Sequence, residues 1–130
     1  MADFEKVKEY LLELDYEIKQ EDLEEEIVLV NREEEGITNL MIDCEDPILI
    51  IELLILELKE GTKEVFESLL KKNREIIHGA FVLDESGTKV LFRDTLELEN
   101  LDLNELEATL NSLALLLSEF YNELIEFSKN

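Results

Sequence analysis

The sequence predicts an α+β domain with elements in the order α-β-β-β-α-β-β-α and one antiparallel sheet of about five strands packed by helices. Three observations predict it. Short β-branched runs are joined by loops too short for a parallel crossover. Stretches of helical period stand near the start, the middle and the end of the chain. All four glycines (Gly36, Gly61, Gly79 and Gly87) and the single proline, Pro47, fall where elements should end. With 130 residues, no Pro/Gly/Ser-rich linker and no internal repeat, residues 1–130 read as a single domain.

The first helix follows from Asp3 as cap and from Phe4, Val7, Leu11 and Leu14, whose spacings of three and four share one face. Residues 15–26 are acidic, and Tyr16-Glu17-Ile18 offers a short edge strand. Ile27-Val28-Leu29-Val30 reads as a strand, and Glu34-Glu35-Gly36 as a hairpin loop. In residues 37–44, Leu40, Ile42 and Cys44 share one side, with Asn39 and Asp43 on the other. Asp46-Pro47 turns the chain into an apolar run that extends to Leu58. Thr62 caps a second helix whose face carries Val65, Phe66, Leu69, Leu70, Ile76 and Ile77, with Gly79 as its end. Ala80-Phe81-Val82-Leu83 and Val90-Leu91-Phe92 flank a turn, Asp84-Glu85-Ser86-Gly87, and form a second hairpin. In the last helix, Asp102 and Glu105 have capping-box spacing. Leu103, Leu106, Leu110, Leu113, Leu117, Phe120, Leu124 and Phe127 then form a stripe that Leu115, Leu116 and Tyr121 widen.

The charge narrows the function. Thirty-four acids against twelve bases give a net charge of −22. Nucleic acids and anionic membranes are both bound through Lys and Arg, so neither is an expected partner. Apolar residues at 45% exceed what a disordered acidic tail carries. The N-terminal hexapeptide has no basic segment followed by an apolar run, and the densest apolar stretch is too short to span a bilayer. Cys44 is the single cysteine, so no intrachain disulfide forms. A cytoplasmic protein is the expectation.

Catalytic signatures are sparse. His78, just before Gly79, suits the C-terminal end of the second helix. A Cys44/His78 nucleophile pair is conceivable, but Cys44 falls on the apolar side of its strand, where a free thiol acts as a small hydrophobe. A zinc site needs more Cys and His than two. Asp102-Leu103-Asn104-Glu105 begins like a calcium loop, yet its sixth position is Glu107 and its twelfth is Leu113. Glu24-Glu25-Glu26 and Glu33-Glu34-Glu35 read as solvated acidic faces, with loose divalent-ion binding or an unrecognised enzymatic role as the alternative. No phosphate-binding glycine loop is present. No catalytic, cofactor or metal residue is therefore assigned.

The run 48–56 is apolar on both strand faces. Ile48, Ile50, Leu54 and Leu56 lie on one, and Leu49, Ile51, Leu53 and Ile55 on the other. A sheet covered on one side carries polar residues on its second side, so this strand is either covered on both sides within the monomer or exposes the first set as a candidate partner-binding face.

The element order, the acidity and the long amphipathic last helix resemble the class I type III secretion chaperones, the Tir-chaperone or CesT-like group, and the YbjN-type domains of the same fold. The resemblance spans Phe4 to Phe127. Its most suggestive stretch runs from Asn73-Arg74-Glu75-Ile76 through Gly79-Ala80-Phe81-Val82-Leu83-Asp84 and Gly87 to Asp102-Leu103-Asn104-Glu105-Leu106. It implies a non-enzymatic homodimer without cofactor that binds an extended segment of a client protein. It also implies dimerisation through residues 65–92, hence through Phe66, Leu70, Phe81, Leu83 and Leu91.

Overall fold

The computed structural model describes residues 2–129. Helix α1 (Ala2–Glu13) leads into four strands, β1 (Glu17–Asp22), β2 (Ile27–Arg32), β3 (Ile37–Glu45) and β4 (Ile48–Glu57). Helix α2 (Lys63–Lys72), strands β5 (Ala80–Leu83) and β6 (Lys89–Glu97), and helix α3 (Leu103–Ser128) complete the chain. The sheet order is β1-β2-β3-β4-β6-β5, antiparallel at every pairing. The expected α+β class and single sheet are present, with one strand more than the expected order. The edge segment at Tyr16 extends into β1, whose residues are almost all exposed and whose pattern lacks the alternation that marks inner strands.

One core forms between the sheet and the helices. Phe4, Val7 and Leu11 of α1 and Leu106, Leu110, Leu113 and Leu116 of α3 meet Val28, Leu40, Ile42, Leu49, Ile51 and Phe92. The capping box of α3 forms as its sequence predicts. Glu105 donates its N–H to Asp102 Oδ1 at 2.8 Å, and Glu105 Oε1 accepts the Asp102 N–H at 3.3 Å. Thr109, fully buried, donates its hydroxyl to Asp94 Oδ2 at 2.8 Å and ties α3 to β6. Asp3 lies inside the first turn of α1 rather than capping it.

Two bulges set which side chains face the core. In β3, Thr38 and Asn39 together oppose Asn31. Asn39 adopts φ 57°, and its N–H is accepted by Asn31 Oδ1 at 2.8 Å. Ile37 and Leu40 are therefore both buried although three residues apart. In β4, Leu54 pairs with Leu91 and Leu56 with Val90, which leaves Ile55 as the extra residue. Ile55 and Leu56 thus both face the helices, and Leu56 is a core residue, not a member of the Ile48/Ile50/Leu54 face.

Helix α2 ends at Lys72, seven residues before Gly79. Leu70 and Ile77, expected on its buried face, are 67% and 75% exposed. Asn73 turns its amide to β5 instead. Its Oδ1 accepts the Phe81 N–H at 2.7 Å, and its Nδ2 donates to the Phe81 carbonyl at 3.2 Å. Gly79 is required twice over: its φ is 85°, and a Cβ there would meet the Phe92 ring. His78 lies in the loop after α2, not at the helix end. Ser112 Oγ accepts its N–H at 3.1 Å and donates to its carbonyl at 2.8 Å. Lys72, almost fully buried, joins α2 to α3. Its Nζ contacts Glu123 Oε2 at 2.6 Å and Ser68 Oγ at 2.9 Å, and lies 5.2 Å and 5.7 Å from the Phe120 and Phe127 ring centres.

Candidate functional site

The strand register defines a second sheet face, opposite the core. One row across it reads Ile27, Asp43, Ile50, Thr95, and the next Leu29, Met41, Glu52, Arg93, Ala80. A third joins Leu54, Leu91 and Val82, and Ile48 sits between Glu45 and Glu97. The buried residues of β2, β3 and β4 alternate with this set, because the helical layer covers the other side. Ile48 and Ile50 are half-buried by their neighbours and Leu54 is 51% exposed. Three of the four residues expected on a partner face therefore share one uncovered surface, and the Ile55 bulge removes Leu56 from it.

The surface is apolar in patches and acidic between them. Arg93 Nε meets Glu52 Oε2 at 2.8 Å across β4 and β6. Asp43 Oδ1 is buried and accepts no hydrogen bond among the described residues. Burial holds the Asp43 pKa above its ordinary value, and Glu45, Glu25 and Glu52 push it the same way. Asp43 was not legible as a site residue, because its flanking isoleucines belong to two other strands.

The residues expected at a dimer interface divide between two adjoining surfaces. Phe66, Leu70, Phe81 and Leu83 line an apolar groove of about 220 Å³ between α2 and the β5 edge, with Val82 and Val90. Leu91 belongs to the open-face row with Leu54, next to Val82. A larger groove of about 590 Å³ lies on the helical side, with Ile55, Leu56, Leu117, Tyr121, Leu124 and Ile125 along it and Glu34 and Glu35 at its rim. The sequence pattern placed Leu115 and Tyr121 in the buried stripe of the last helix, but they are 53% and 61% exposed. A stripe that wide exceeds what one sheet can cover.

Cys44 is buried in β3, and burial pushes its thiol up to about 12. His78 is held to α3 through Ser112, and no contact joins the two among the described residues. Among those residues, no three His, Cys, Asp or Glu side chains gather as a metal site, and no helix is long and apolar enough to cross a membrane.

YbjN from E. coli superposes with a TM-score of 0.70 at 11% identity, covering 92% of each chain. A chain of the HopA1–SchA chaperone–effector complex superposes with a TM-score of 0.62 at 12% identity, covering 100% of this chain and 98% of that one. Identities this low establish a shared fold alone. No curated protein matches the sequence significantly. The family profile CesT_Tir_1 matches residues 1–130, the whole chain. On that match and this fold, the chain belongs to the CesT_Tir_1 family.

Proposed function

We propose that the protein is a non-enzymatic chaperone or adaptor that works as a homodimer and holds an extended apolar segment of a client protein. The observation that carries the proposal is the uncovered sheet face around Ile48, Ile50 and Leu54, left open because the helical layer lies on the opposite side. The chaperone–effector complex among its structural neighbours supports the same reading. An extended segment packs aliphatic side chains onto such a face, and the surrounding acids keep it soluble between clients. The groove of Phe66, Leu70, Phe81 and Leu83, beside Leu91, is the proposed subunit contact. Protein capture in the cytoplasm needs neither cofactor nor metal.

Replacing Ile50 and Leu54 together with Asp tests the client face. The circular dichroism spectrum should persist, because neither residue is part of the core, while clients retained from source-cell lysate by the parent protein should be lost. Unfolding of this variant would overturn the surface assignment, and unchanged retention would overturn the client site. Sedimentation as a monomer across micromolar concentrations would refute the dimer.

A further inference from the structure

We propose that Asp43 is the recognition point of the open sheet face and takes an arginine or lysine side chain that the client presents between two aliphatic residues. The inference rests on the client reading above and adds the chemistry of the partner.

Asp43 stands in one cross-strand row between Ile27 and Ile50, with Met41 and Glu45 two residues away on its own strand. Its Oδ1 is removed from water without gaining a hydrogen bond among the described residues. A carboxylate in that state destabilises the free protein, and a cation arriving beside it offsets the penalty electrostatically. The two cations of β6 on this face are already engaged. Arg93 pairs with Glu52 at 2.8 Å, and Lys89, opposite Glu57 in register, lies 3.9 Å from it. Asp43, Glu45 and Glu97 have no cation opposite them in register.

The charge around Asp43 is therefore negative, and it is set among aliphatic side chains. A second copy of this chain, itself at −22, does not complement it. A basic side chain does. Ile27, Met41 and Ile50 offer apolar surface to the methylene stem of Lys or Arg while the charged head reaches Asp43. Client residues two positions to either side point the same way in an extended segment and meet the neighbouring aliphatic positions. An acidic client is rejected, because its carboxylate would meet Asp43 and Glu45 together.

The test uses acetylated, amidated Ser-Leu-Ser-Arg-Ser-Leu-Ser and two relatives with Glu or norleucine in place of Arg. Each is titrated into the full-length protein and into Asp43→Asn, with amide chemical shifts as the readout. The arginine peptide should shift amides around Ile27, Asp43 and Ile50, and Asp43→Asn should weaken it about tenfold. The norleucine peptide should bind parent and variant alike, and the glutamate peptide should bind the parent more weakly than either. Open-face shifts with equal affinity for parent and Asp43→Asn would overturn the role of Asp43 and leave the client face standing. Arginine-peptide shifts absent from the open face would overturn both. A thermal melt of Asp43→Asn at or above the parent's Tm shows that the comparison is between folded proteins.

Discussion

Lys72 provides the sharpest test of how α2 is held. The helix buries Val65, Leu69 and Lys72, and among the described residues Lys72 alone joins it to α3 by charge. Lys72→Met keeps an unbranched apolar chain and removes the ammonium. The ion pair is shared with Glu123, whose side chain is 55% exposed, so solvent screening limits it to about 1 kcal/mol or less. The two aromatic rings add about 0.5–1 kcal/mol in sum, since Phe120 at 5.2 Å is the closer and Phe127 at 5.7 Å is near the limit of useful contact. The expected loss is about 1–2 kcal/mol, or a fall of roughly 3–8 °C in Tm. Glu123→Gln in the same background should show a coupling of about 0.5–1 kcal/mol in a double-mutant cycle. Hydrogen exchange separates local from global loosening. Amides of α2 should exchange faster in Lys72→Met while those of β3 and β4 change only with global stability. A variant with parental Tm and unchanged α2 exchange would refute the clamp. Uniform acceleration through the sheet would show that α2 is not a separately anchored unit.

Three further outcomes follow from the geometry. Cys44, with its thiol pushed up to about 12, should be only about one part in ten thousand thiolate at pH 8 and should react with a disulfide reagent no faster than the chain opens; prompt stoichiometric labelling of the native protein would contradict its burial. Added NaCl, from low to physiological strength, should raise Tm by screening a charge of −22, and a falling midpoint would mean that the acids are held in attractive networks. Tm should also pass through a maximum on the acid side of neutrality. Asp43, raised from 3.8 by burial first, stabilises the fold fully below 3.8 and loses that contribution as pH rises through its folded pKa. Asp84, lowered from 3.8 by the Lys89 N–H first and then by Ser86, stabilises above 3.8 and loses that contribution as pH falls through its folded pKa. A Tm that falls steadily from pH 7 downward would refute the opposition of these two groups.

The sequence was legible where one local signal decided the structure. Asp102 and Glu105 announced the start of α3, and the hairpin at Gly87 needed only its turn residues. It was illegible where a distant partner decided. Strand β1 is polar almost throughout and owes its shape to pairing with β2. Alternation of period two puts Leu56 on the open face, but the pattern fails at the Ile55 bulge. Helix α2 looked longer than it is, because Ile76 and Ile77 continue its apolar spacing while Asn73 is drawn away to Phe81. The open face shares this difficulty. Ile48, Ile50 and Leu54 stood out as apolar on an unexpected side, but Asp43 acquires its setting from Ile27 and Ile50 across two strand pairings.

Asn73 has a consequence for assembly. A strand arriving beside β5 must find free N–H and carbonyl groups, and those of Phe81, inside a four-residue strand, are taken by the Asn73 amide. The side chain acts as a one-residue dummy strand, a stopper at that end of the sheet. Continuous growth by edge pairing needs both ends of each sheet to accept a neighbour, so a stack of copies terminates where the first stopper is met. One amide thus closes that edge of the sheet to a further strand, in addition to any protection from the net charge of −22.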